Sequence, residues 1–238
     1  MDILLILGLT LTAGMAMPLG AWLAQTFHWA PDWLESELRH GIMAFGGGAL
    51  LSAVALVLVP KGMTNLTIGP ALLCFGGGGL AFMLLDVLLA KLDTSASQLL
   101  AMLSDFIPES LALGATLTLG GSRSALLLAL LMALQNIPEG FNAYRELNAR
   151  SGGVRHLLLI FSFMALLGPV AGLSGYFWLT EMPTWVAAIM LFAGGGILYS
   201  VFQDIAPQVL LESHWAPPLG AVLGFALGIA GFMLSEPN

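Results

Sequence analysis

The sequence carries little charge: 9% of its 238 residues are Asp, Glu, Lys or Arg. A soluble domain has about 25% charged residues, so this composition argues against a soluble globular protein. The 7 Lys and Arg residues stand against 14 Asp and Glu residues, and the net charge of -7 argues against nucleic acid or an anionic lipid surface as a partner. The single cysteine, Cys74, leaves no disulfide framework and no cysteine metal cluster.

Long apolar runs are what the sequence has in abundance. A helix needs about 20 mostly apolar residues to cross a bilayer. Eight such windows occur, at residues 3–24, 40–60, 68–90, 97–119, 123–146, 155–179, 185–210 and 217–235. The first is longer than the apolar core of a signal peptide, so we expect it to remain as a spanning helix. The sequence therefore predicts an all-α polytopic membrane protein, with residues 1–238 forming one transmembrane domain.

The distribution of Lys and Arg predicts the orientation in the membrane, because cytoplasmic loops carry an excess of these residues. The loops after the second, fourth and sixth windows contain only Lys61 and Arg123. The loops after the other windows contain Arg39, Lys91, Arg145, Arg150 and Arg155. We therefore expect the second set of loops to be cytoplasmic. Both termini would then lie outside the inner or plasma membrane of the cell.

An internal repeat connects the second and seventh windows. Residues 46–52 (GGGALLS) match residues 194–200 (GGGILYS), and each run is followed by a proline, Pro60 or Pro207. In an eight-helix chain these two helices start on opposite sides of the membrane. Helices 1–3 and 6–8 are therefore expected to form an inverted repeat around helices 4 and 5, a common transporter plan. The alternative is that glycine triplets only allow close helix packing.

Two polar motifs interrupt the fourth and fifth windows, at residues 105–109 (DFIPE) and 135–139 (QNIPE). Ionisable side chains inside a membrane helix are costly and by default mark an ion or proton path. Residues four apart share a helix face, so Asp105 pairs with Glu109, and Gln135 with Glu139. The two helices are consecutive and antiparallel, so these faces are expected to meet near the bilayer midplane. Three carboxylates and an amide around one point suit a divalent cation.

Three further polar residues have two interpretations each. Asp204, in the seventh window, is either a further metal contact or a wetted residue near the cytoplasmic end. Asn142, one turn after Glu139, is either a ligand or a helix–helix hydrogen bond, and we favour the hydrogen bond. Asp86 lies near the end of the third window, where an interfacial location is expected rather than a functional one.

The two Pro-Glu motifs resemble those of the ZIP (Zrt/Irt-like) metal transporters, especially the bacterial branch. The fourth helix of that family typically reads His-Asn-x-Pro-Glu-Gly, and the fifth reads His or Gln, then Asn or Asp, then x-Pro-Glu-Gly. Residues 135–140 (QNIPEG) keep the second pattern. Residues 204–207 (DIAP) look like the acidic-x-x-Pro segment of the seventh helix in the family, and Pro60 matches the proline that closes its second helix. The similarity covers the whole chain in layout and is specific in helices 4, 5 and 7.

The resemblance also implies which residues hold the transported ion. The primary metal site would comprise Asp105, Glu109, Gln135 and Glu139. A neighbouring second site would use Asn136 and Asp204, with Glu139 bridging the two ions.

The fourth helix departs from the family pattern in three places. Asp105 stands where the family usually has histidine, Phe106 replaces the asparagine that would serve the second site, and Ser110 replaces glycine. We therefore expect a single carboxylate-rich site. Without imidazole or thiolate ligands, that site favours hard ions such as Mn²⁺ or Fe²⁺ over zinc.

These observations predict a transporter of divalent metal cations towards the cytoplasm, not an enzyme. The transported ion would be Zn, Mn, Fe, Cd or Co, and no prosthetic group is expected. The other expected partners are the lipid bilayer and, from the packing glycines, a second copy in a homodimer. The main alternative is a proton- or organic-cation carrier that uses the same carboxylates. An intramembrane metal-dependent hydrolase is less consistent with a sequence that has no His-Glu-x-x-His motif.

Overall fold

The computed structural model describes residues 2–26, 32–92, 95–119, 121–151, 156–179, 181–209 and 216–235. Every regular element within these ranges is a helix. The helical segments are Asp2–Thr26 (α1), Asp32–Ala53 with Val54–Leu58 and Val59–Met63 (α2), Ile68–Leu92 (α3), Ser95–Leu119 (α4), Gly121–Ser151 (α5), Leu157–Ala165 with Leu167–Leu179 (α6), Pro183–Ser200 with Val201–Ile205 and Ala206–Val209 (α7), and Ala216–Ser235 (α8). The prediction of an all-helical chain is confirmed.

Seven helices in the described part of the chain are long and apolar enough to cross a membrane. They are α1, α2, α3, α5, α6, α7 and α8. Seven such helices make this an integral, multi-pass membrane protein. The seven are counted within the described residues only, and α4 is not among them.

Two helices extend beyond the predicted apolar windows. α2 begins at Asp32 and α5 continues to Ser151, with polar residues at both extensions. Hydropathy windows miss such segments, although Leu, Glu and Arg are good helix formers. Arg155, one of the residues used to predict the orientation, lies outside the described ranges.

The helices pack mainly as four close pairs: α1 with α5, α2 with α8, α3 with α7 and α4 with α6. Glycines set the closeness of the first pair, since a Cβ at Gly20 would overlap the carbonyl of Ile137, and a Cβ at Gly140 would overlap that of Met17. Small residues permit this backbone contact between membrane helices. The same reciprocal arrangement occurs at Gly48 and Gly224, at Gly78 and Gly195, and at Gly114 and Gly175.

α2 and α7 each contain one turn of π-helix, at Val54–Leu58 and Val201–Ile205. Each π-turn lies just before a proline, Pro60 or Pro207. Proline has no amide hydrogen and disturbs the hydrogen bonding of the preceding turn. The second π-turn contains Asp204, so the irregular backbone coincides with an acidic side chain in the membrane span.

Candidate metal-binding site

The two Pro-Glu motifs lie within α4 and α5, which contact each other directly. The amide Nε2 of Gln135 donates a hydrogen bond of 2.7 Å to Oε2 of Glu109. Both side chains are buried. This bond joins the C-terminal end of one motif to the N-terminal end of the other, as antiparallel helices require.

Asp105 and Glu139 are half-buried, one turn away from the Gln135–Glu109 bond on their respective helices. Glu139 interacts electrostatically with three other carboxylates. The interaction is strongest with Asp105, followed by Glu109 and then Asp204. Asp105 itself lies close to Asp204 and to the hydroxyl of Ser200, both on α7. The acidic groups of α4, α5 and α7 therefore share one electrostatic environment.

Several buried side-chain oxygens on α4 and α5 have no hydrogen-bond partner within the described structure. They belong to Asp105, Glu109, Ser110 and Thr116 on α4 and to Gln135, Asn136 and Asn142 on α5. A buried polar atom left without a partner costs about 1–3 kcal/mol. Five of these seven are carboxylate or amide oxygens, which a hard divalent cation takes as ligands, so the residues present fit such an ion.

The carboxylates are spread along the interface and do not surround a single point. Among the described residues, no three His, Cys, Asp or Glu side chains are close enough to hold one metal ion. This differs from the expected arrangement of three carboxylates and an amide around one point. One contact that works against convergence is the bond from Gln135, which directs Oε2 of Glu109 at an amide instead of at the other acids. An ion held by two of these acids would take its other ligands from amide oxygens or water.

The second position of each motif faces α1. Nδ2 of Asn136 donates a hydrogen bond of 2.9 Å to the carbonyl of Ala13, and the side chain is fully buried. The ring of Phe106 lies where a Cβ at Gly14 or Gly168 would come within 2.9 or 2.6 Å of it. Phe106 therefore fills space between α1 and α6. Of these two residues, Asn136 has a side-chain acceptor oxygen and Phe106 has none.

A second acidic contact lies between α3 and α7. The hydroxyl of Tyr199 donates a hydrogen bond of 3.0 Å to Oδ2 of Asp86, and Asp86 interacts electrostatically with the exposed Asp204. The interfacial location predicted for Asp86 gave no indication of its contacts with Tyr199 and Asp204. Tyr199 and Ser200 both belong to the second glycine repeat, and their polarity is the sequence signal that was available.

Neither a protein-family model nor a curated protein matches this chain. The case for its function therefore rests on the residues of the site.

Proposed function

We propose that this chain is a divalent metal cation transporter whose cargo passes between α4 and α5. The observation that carries the proposal is the set of buried acceptor oxygens without donors on Asp105, Glu109, Gln135 and Asn136. Two carboxylates and two amides in an apolar helical bundle are costly as packing material. A cation that passes along the interface would satisfy all four.

The ligand chemistry favours hard ions. The predicted primary site, Asp105, Glu109, Gln135 and Glu139, and the predicted secondary residues, Asn136 and Asp204, contain only oxygen donors. Oxygen ligands suit Mn²⁺ and Fe²⁺, whereas zinc, cobalt and cadmium gain more from nitrogen or sulfur ligands. We therefore rank Mn²⁺ and Fe²⁺ above Zn²⁺, Co²⁺ and Cd²⁺ as the cargo.

The membership that we propose is the ZIP family, with α4 as the eighth spanning helix. The helix pairs support the inverted repeat that this membership implies. In such a repeat α1 corresponds to α6, α2 to α7, α3 to α8 and α4 to α5. The pair α1–α5 then corresponds to the pair α6–α4, and the pair α2–α8 corresponds to the pair α7–α3. Both resulting pairs are among the four close pairs. The π-turns in α2 and α7 follow the same correspondence.

Transport by alternating access requires helices that can change shape at the site. Pro108 and Pro138 interrupt the hydrogen bonding of α4 and α5 within the motifs, and Pro207 does so in α7 beside Asp204. With both termini outside the cell membrane, uptake moves two positive charges towards a negative interior. That movement gains about 4.6 kcal/mol per 100 mV. In this proposal the chain acts as a carrier and not as an enzyme, with the metal ion as its substrate.

The test is an uptake panel in proteoliposomes with Mn²⁺, Fe²⁺, Zn²⁺, Cd²⁺, Co²⁺ and Mg²⁺ at two pH values. We expect saturable uptake that is fastest for Mn²⁺ or Fe²⁺. Uptake is weaker at the lower pH, because carboxylates must lose their protons to bind metal. Protein-free liposomes are the control. Saturable uptake of none of these ions would overturn the proposal, and proton flux that ignores all of them would favour the proton carrier.

A further inference from the structure

We propose that Asn142 is a further ligand on the path of the metal ion, one turn beyond Glu139 along α5. This inference rests on the proposed function and extends it beyond the two Pro-Glu motifs. Residues 135, 139 and 142 follow the spacing i, i+4 and i+7, which places them on one face of a helix. The step from Glu139 to Asn142 rises about 4.5 Å along the axis.

The unpaired oxygen of Asn142 favours the role of a ligand. Asn136 shows that an asparagine on this helix can bond a neighbouring helix through Nδ2 while its Oδ1 stays without a donor. Oδ1 of Asn142 is buried and has no partner within the described structure. It therefore shares the property that marks the acceptor oxygens of Asp105 and Glu109.

The path would continue towards the C-terminal end of α5, which is predicted to be cytoplasmic. The carboxylates come first, and the neutral amide of Asn142 follows. A neutral oxygen holds a divalent ion less tightly than a carboxylate does, so Asn142 suits the release of the ion. Arg145, a further turn along, has its guanidinium over the ring of Phe141, 4.7 Å from the ring centroid. Phe141 points about 100° away from Asn142 round the helix, so this contact draws the positive charge away from the ligand face.

The test measures thermal unfolding of the detergent-purified full chain at a series of Mn²⁺ concentrations. A ligand that binds only the folded state raises its stability by RT ln(1 + c/Kd), where c is the Mn²⁺ concentration, so the concentration dependence gives Kd, the half-saturating Mn²⁺ concentration. Asn142→Asp adds a negative oxygen ligand, and we expect the half-saturating concentration to fall about tenfold. Asn142→Leu removes the ligand, and we expect that concentration to rise about tenfold. Asn148→Leu is the matched control on the same helix, about 120° from Asn142 round the axis, and should equal the unaltered chain.

The outcomes separate this inference from the proposed function. If Mn²⁺ does not stabilise the unaltered chain at all, both are overturned. If Mn²⁺ stabilises the unaltered chain and both Asn142 variants show the same half-saturating concentration, only the assignment of Asn142 fails. An Asn142→Asp variant that binds Mn²⁺ no more tightly than Asn142→Leu also overturns it. A helix–helix role predicts this last result, because aspartate loses the amide donor.

Discussion

Gln135 and Glu109 form a hydrogen bond across the α4–α5 interface, from Nε2 to Oε2 at 2.7 Å. Among the described residues, Glu109 Oε1 and Gln135 Oε1 have no hydrogen-bond partner. The bond therefore joins the two helices and leaves one acceptor oxygen on each side of the interface, which the proposed transport would use to bind the cation.

Exchanging the two side chains tests this bond. Gln135→Glu alone places two acidic groups against each other, and we expect it to lower the metal-free stability by about 1–2 kcal/mol. Adding Glu109→Gln restores an amide next to a carboxylate, with the partners exchanged. The double variant should therefore be more stable than the Gln135→Glu variant in thermal unfolding. Strictly additive effects of the two substitutions would show that the side chains do not interact.

The close contact between α1 and α5 predicts a strong effect of one added methyl group. Gly140→Ala places a Cβ against the backbone carbonyl of Met17, which cannot move without separating the helices. We expect a loss of about 1–3 kcal/mol in stability, measured by thermal unfolding in detergent. Gly76→Ala on α3 is the control, because nothing lies within 4 Å of a Cβ there. Equal stabilities of the two variants would contradict the packing described for Gly140.

The proline after the second π-turn predicts an effect on transport without a loss of fold. Pro207→Ala supplies an amide donor, which favours regular α-helix and rotates Asp204 relative to Asp105. We expect slower Mn²⁺ uptake at unchanged or higher thermal stability. Pro60→Ala is the matched control, because the π-turn before it, Val54–Leu58, contains no ionisable residue. If both variants transport like the unaltered chain, the π-turn has no role in transport.

The predicted orientation is testable with single cysteines in a Cys74→Ser background. Ser122, in the first turn of α5, and His156, directly before α6, are exposed, and they lie at ends predicted to be outside and cytoplasmic respectively. An impermeant maleimide added to intact cells should label Ser122→Cys. It should label His156→Cys only after the cells are permeabilised. The reverse pattern would invert the membrane orientation and the predicted direction of the path past Asn142.

The sequence predicted the helices well because apolar windows and Pro/Gly separators are local signals. The prediction that the polar faces of α4 and α5 meet followed from the short connection between these two helices and from the i, i+4 spacing of their motifs. The Gln135–Glu109 bond agrees with this prediction. Contacts between helices distant in sequence were not predictable in this way. The bond from Asn136 to Ala13 and the bond from Tyr199 to Asp86 depend on how whole helices pair. The separation of the carboxylates likewise depends on side-chain contacts, such as the bond that directs Glu109 towards Gln135, and the motifs alone do not display these.

Mn²⁺ uptake by Glu139→Gln proteoliposomes tests the central claim most directly. Glu139 interacts electrostatically with Asp105, Glu109 and Asp204, so in the proposed site the loss of its charge would weaken metal binding at all of these acids. We predict that uptake falls by at least about tenfold, while the exposed control Glu146→Gln on the same helix transports like the unaltered chain. Near-normal Mn²⁺ uptake by a folded Glu139→Gln variant would contradict the account.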